Sequence, residues 1–111
     1  MIIVVEPEAA PALAASIKAG RPVVAPGPVS VMGRLDCKEP SLIALKGLSR
    51  DADLFVTISE AESLAGAALC AESGFPTTPS GAAGVAALAA AAYDPGKLRL
   101  DGASRVLAIL S

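Results

Sequence analysis

The sequence predicts an α/β fold, a mostly parallel sheet of about four strands flanked by helices in three αβα layers. Three observations carry this. Ile2, Ile3, Val4 and Val5 form a continuous β-branched run, as expected of a strand buried on both faces of a parallel sheet. Apolar runs of strand length return at residues 54–58 and 105–110, and the segments between carry helical apolar spacing. Helix-start and helix-stop residues punctuate those segments. Strands alternating with helices imply right-handed crossovers and parallel pairing.

Taken in order, Glu6 and Pro7 end the first strand. A helix to Ala19 follows, with Leu13 and Ile17 at helical spacing, Pro11 in its first turn and Gly20 as its stop. Residues 21–33, RPVVAPGPVSVMG, contain three prolines and two glycines, so beyond a short strand over residues 23–25 they read as a loop. Glu39, Pro40 and Ser41 open a second helix with Pro at its first position, and Leu42, Ile43, Leu45 and Leu48 supply its apolar side. It ends in the polar cluster at residues 49–53. After the strand at 54–58, Ser59 and Glu62 form a capping box for a helix to about Glu72, which Gly74 and Pro76 terminate.

Residues 78–93, TPSGAAGVAALAAAAY, read as a central helix started by Thr78 and Pro79. Val85 and Leu88 are its only large apolar side chains before Tyr93, so its neighbours must approach it closely. Gly81 and Gly84 cost roughly 1 kcal/mol each in a helix interior, and make most sense near the helix mouth, where a ligand or another backbone comes close. Asp94, Pro95 and Gly96 stop the helix, and residues 105–110 form a last buried strand.

Composition narrows the function. The 111 residues suit one domain, and at 53% hydrophobic, 18% charged and a mean hydropathy of +0.59 part of the surface is expected to meet more protein. A net charge of −2 and 3% aromatics leave neither a basic face nor a stacking platform for nucleic acid. The longest apolar run, residues 82–93, falls short of the roughly 20 residues of a membrane span, and the amino-terminal stretch lacks a basic leader, so a cytoplasmic protein is expected. Cys37 and Cys70 are isolated and read as small buried hydrophobes. With no His in the chain, Ser/His/Asp triads, Cys/His dyads and His-ligated metals are excluded.

Three candidate sites stand out. The helix mouth at Thr78, Pro79, Ser80 and Gly81 can receive an anion or a polar ring, or be an ordinary capped helix. The mixed-charge stretch Arg34, Asp36, Lys38 and Glu39 can contact a substrate or be a solvated loop. Glu6 lies at the carboxyl end of the first strand, the usual functional edge of such sheets, and can equally be exposed and idle. No GxGxxG or GxxxxGK[ST] phosphate loop occurs, and Lys18, Lys38, Lys46 and Lys97 all lie in polar or surface contexts. The chain starts inside a strand and ends on one, so both ends read as cut.

VVEPE at residues 4–8, MGRLDCKEPS at residues 32–41 and SGAAG at residues 80–84 occur in that order, followed by RVLAIL. Together they resemble the carboxyl-terminal part of diaminopropionate ammonia-lyases, pyridoxal-phosphate enzymes of the tryptophan-synthase-β fold related to threonine and serine dehydratases. The middle motif is the most specific, with Leu35, Asp36, Cys37, Glu39, Pro40 and Ser41 matching as a block. The resemblance implies a portion of the large domain, residues 1–111 being a single partial domain. It implies α,β-elimination of 2,3-diaminopropionate, serine or threonine to a 2-oxo acid and ammonia, with pyridoxal 5'-phosphate as electron sink. Ser80 and Gly81 match the motif lining the cofactor side, and Ser111 matches the hydroxyl residue against the pyridine nitrogen.

The family's cofactor lysine, phosphate loop and proton-abstracting base lie upstream of the position matching Met1. No catalytic residue is therefore assigned to this chain, and weak or no cofactor binding is expected of it alone. Three positions depart from the family: Pro79 replaces an acidic residue, and Ala9 and Lys38 replace glycines. The expected partners are a complementary amino-terminal chain or a second copy. The alternative is a free-standing α/β module that binds a small metabolite or a protein.

Overall fold

A computed structural model describes residues 1–111 apart from the side chain of Pro95. Strand β1 (Ile3–Pro7) pairs in parallel with β2 (Leu54–Ile58), in the register Ile3 with Leu54, Val5 with Val56 and Pro7 with Ile58. Helices α1 (Ala12–Ala19) and α2 (Leu42–Asp51) lie between the strands in sequence, and α3 (Glu60–Glu72) and α4 (Ala83–Ala91) follow. The α/β class and the parallel pairing are as the sequence predicts. Among the described residues the sheet has two strands rather than about four.

The two missing strands fail for want of partners. Residues 23–25 have one backbone–backbone bond to another segment, Ala25 N–H to the Lys38 carbonyl at 2.8 Å, and Pro22, Pro26 and Pro28 around them have no N–H to donate. Residues 105–110 run without regular secondary structure, because no strand of the chain lies beside them.

Local signals place the helix ends. Gly20 adopts the left-handed conformation at φ 70° and closes α1, with Pro11 as the residue before its first turn. Ser41 caps α2 by accepting the Ala44 N–H, which leaves Pro40 just outside the helix rather than at its first position. The Ser59–Glu62 capping box is present, with both reciprocal bonds near 3 Å. The apolar side expected of α2 is largely uncovered, and Leu42 and Ile43 are exposed.

The core lies on one face of the sheet. Val56 and Ile58, with Ile3, Val5 and Leu54 beside them, pack against Ala83, Ala86, Ala87 and Ala91 of α4, and Met32 and Leu98 fill the remaining space. Strand alternation puts Val4, Glu6, Phe55 and Thr57 on the opposite face. α3 meets α4 so closely that a Cβ on Gly66 would stand 2.5 Å from the Ala86 Cβ and 2.7 Å from its Cα. Among the described residues no helix is long and apolar enough to cross a membrane.

The two helical glycines that differ in surroundings give opposite expectations. Either Gly→Ala change gains about 1 kcal/mol of helix propensity. At Gly47 a Cβ meets nothing within 4 Å, so G47A should raise the urea midpoint. At Gly66 it meets backbone, and the overpacking cost of about 1–3 kcal/mol exceeds the gain, so G66A should lower it.

Candidate functional site

The mouth of α4 is built by the turn before it. The Thr78 hydroxyl accepts the Gly81 N–H at 3.1 Å and its carbonyl accepts the Ala82 N–H at 3.0 Å. Thr78 thus accepts an N–H as the sequence predicts, but it caps the preceding turn: the regular helix begins only at Ala83, and its N-cap, Ala82, makes no side-chain cap. Pro79, Ser80, Gly81 and Ala82 form an intervening turn.

That turn meets the end of the chain. A Cβ on Gly81 would collide with the Ser111 main-chain oxygen and with Thr77 Oγ1, so only glycine fits. Thr77 Oγ1 donates to the same Ser111 oxygen at 2.6 Å, and three residues on, Ala108 packs 3.7 Å from the Cβ position of Gly84. Gly81 and Ser111 are therefore brought together. Ser80 is adjacent, but its hydroxyl is turned to the proline-rich loop, where it accepts the Arg34 N–H at 3.2 Å. Arg34 also donates from Nη2 to Thr78 Oγ1 at 3.1 Å.

The charged stretch beside the mouth serves the loop. Lys38 Nζ donates to the Ala9 carbonyl at 2.8 Å, to the Pro28 carbonyl at 2.6 Å and to Asp36, while Asp36 also accepts the Ser30 N–H at 3.3 Å. Lys38 and Asp36 are half-buried fasteners of residues 26–38, neither free to contact a substrate nor a plain solvated pair. The hydrogen bond from Lys38, helped by the Ser30 N–H, holds the Asp36 carboxyl below the usual carboxylate range. Arg34 and Glu39 remain exposed.

Glu6 is corrected in the same sense. It is buried, and its two carboxylate oxygens accept the Leu13 and Ala14 N–H groups at 2.8 Å each. It caps the amino end of α1, where a carboxylate both satisfies orphan donors and complements the helix dipole. Cys70 is buried as predicted, whereas Cys37 is exposed.

Two residues of the site carry no signal in the sequence. Thr77 is one. The other is Glu60, whose carboxylate accepts from the Ser30 hydroxyl at 2.6 Å and the Val31 N–H at 2.7 Å, and so ties the loop to the start of α3. An acid in the first turn of a helix reads as a dipole complement, and nothing local indicates a tie to residues 30 positions away.

A family profile described as pyridoxal-phosphate dependent enzyme matches residues 1–111. The chain belongs to that family. A threonine deaminase of T.th. superposes with a TM-score of 0.75 at 24% identity, over 97% of this chain and 40% of that one. A fungal L-serine ammonia-lyase from Rhizomucor miehei gives 0.75 at 23% identity, over 92% and 33%, and maize serine racemase 0.71 at 23%, over 78% and 27%. These likenesses show a shared fold, and the chain spans well under half the length of each. A search of curated proteins found no match.

Pyridoxal phosphate is held in its enzymes as a Schiff base on a lysine, and the lysines described are otherwise engaged or exposed. Lys38 is held by three acceptors, Lys97 donates to the Thr57 carbonyl at 3.1 Å, and Lys18 and Lys46 lie exposed on α1 and α2. No lysine among the described residues stands free beside Ser80, Gly81 and Ser111, and the space a Cβ would take at Gly81 is filled by Ser111 and Thr77. The residues present do not by themselves fit the complete group.

Two measurements check this geometry. G81A should displace Ser111 and lower the urea midpoint, because the added Cβ meets the Ser111 main-chain oxygen and Thr77 Oγ1. For Asp36, a lowered folded pKa means that its stabilising contribution is complete above the unfolded value of about 3.9 and is lost as pH falls through the lowered one. Thermal unfolding followed from neutral to acid pH should show a shallower acid loss in D36N than in the parent.

Proposed function

We propose that the chain is the carboxyl-terminal part of a pyridoxal-phosphate-dependent ammonia-lyase that eliminates ammonia from 2,3-diaminopropionate, or from serine or threonine, to leave a 2-oxo acid. The supporting observation is the meeting of Gly81 with Ser111, 30 positions further along the chain, together with the motif of residues 32–41 that docks on the same turn through Arg34. In this reading Ser80, Gly81 and Ser111 line the ring side of the cofactor. Ser111, exposed in the chain, would hold the ring nitrogen through its hydroxyl.

The lysine and the phosphate loop of this reading lie outside residues 1–111, which form one partial domain, are inactive alone and act in the cytoplasm. When bound, the cofactor supplies the electron sink. This chain supplies a rigid wall, because both Gly81 and Ser111 are clamped by hydroxyls on main-chain groups.

A metabolite-binding module is favoured by one observation, a cleft of about 240 Å³ lined by Leu69, Cys70, Ser73, Phe75, Val85 and Leu110. Ser73 is its only hydroxyl, which gives a polar metabolite little to orient on.

Mixing the purified chain with pyridoxal phosphate and reducing with borohydride should leave no cofactor adduct on any lysine, and diaminopropionate should yield no pyruvate. An adduct on Lys97 or Lys38, or turnover by the chain unaided, would overturn the assignment.

A further inference from the structure

Residues 25–38 close on themselves. The Ala25 N–H donates to the Lys38 carbonyl at 2.8 Å and Lys38 Nζ donates to the Pro28 carbonyl at 2.6 Å, which ties the two ends of the loop into a neck. Inside the loop the Ser30 N–H meets Asp36 at 3.3 Å, the Met32 N–H meets the Ser30 hydroxyl at 3.1 Å, and the Leu35 N–H meets the Met32 carbonyl at 2.8 Å. Such a segment, compact and held by its own bonds, is an Ω-loop.

The ties between this loop and the rest of the chain divide between neck and tip. At the neck main chain lies on main chain, since a Cβ on Gly27 would collide with the Ala9 carbonyl, which also accepts from Lys38 Nζ at 2.8 Å. Pro26 and Pro28 stiffen that end further. Among the described residues every tie at the tip runs through a side chain. Glu60 at the start of α3 accepts from the Ser30 hydroxyl and the Val31 N–H, Arg34 reaches Ser80 and Thr78 before α4, and Met32 is buried in the core.

We propose that the tip, residues 29–35, swings as one body about the neck with Glu60 as its latch, and that the swing carries Arg34 off Ser80 and releases that hydroxyl. The internal bonds join residues 30–36, so Arg34 and the pair Ser30 and Val31 leave their partners together. Glu60 is the strongest of the polar ties, a carboxylate on two donors at 2.6 and 2.7 Å against hydroxyl acceptors at 3.2 and 3.1 Å for Arg34. Met32, the apolar anchor, is unbranched and repacks more readily than a β-branched side chain. Control of the candidate site by this swing rests on the cofactor reading, which assigns Ser80 to the ring side; the movement itself does not.

Native-state amide exchange on the chain tests it. The Val31 and Arg34 amides, bonded to different elements, should share one protection factor, below those of Ala86 and Ala87 in α4. E60Q keeps the shape of the latch but turns one acceptor into a donor, and should lower both factors equally, about tenfold or more, with Ala25 unchanged. S30A breaks the latch from the loop side and should release the same two amides, whereas a carboxylate that only complements the α3 dipole would leave S30A silent. Unchanged circular dichroism confirms that both variants fold. Unequal protection of Val31 and Arg34 in the parent, exchange of both only by global unfolding, an E60Q effect confined to Val31, a silent S30A, or release of Ala25 with them would each overturn the proposal. None of these outcomes depends on the borohydride test, so this proposal and the cofactor reading fail separately.

Discussion

The structure depends on how closely main chain can approach helix α4. Its sequence, AGVAALAAA, offers almost no side-chain bulk, and dispersion gained at short range replaces the interdigitation of large residues. Ala86 sits against Gly66 of α3, the turn before α4 holds Ser111 at Gly81, and the sheet rests on the alanines of its buried face. Each of these contacts would be lost by one added methyl group at the right place. The helix thus sets where the sheet, α3 and the end of the chain lie relative to one another.

Charged groups in this protein act chiefly on main chain. Glu6 caps α1, Glu60 holds the loop at Ser30 and Val31, and Lys38 gathers two carbonyls and Asp36. Charge-assisted hydrogen bonds of this kind are stronger than neutral ones, which suits a loop too rich in proline and glycine to hold itself by regular structure. The consequence for chemistry is subtraction. Residues that looked available for a substrate are engaged, and what remains open at the mouth of α4 is hydroxyl and main-chain functionality.

Membership of the pyridoxal-phosphate family and a shared fold with threonine deaminase describe the framework, while a site must be argued from its own residues. The chain spans 40% or less of the threonine deaminase, serine racemase and serine ammonia-lyase structures. Its sheet has two strands among the described residues, and the apolar side of α2 and residues 105–110 are largely uncovered. Parallel sheets are covered on both faces because their strands are apolar on both, and this chain covers one face well.

Local pattern was enough to determine the α/β class, β1 and β2, the α3 capping box, the glycine stop of α1 and the small-residue character of α4, since each rests on neighbours within a few positions. The same pattern marked residues 23–25 and 105–110 as strands, which shows its limit: strand propensity belongs to a segment, whereas a strand needs a ladder partner. Tertiary structure alone decided that Glu6 and Lys38 are structural, that Glu60 and Thr77 matter, and that Gly81 lies against Ser111. Apart from Glu6, whose partners are on the next helix, those facts arise between residues 29 to 34 positions apart, where no periodicity links one to the other.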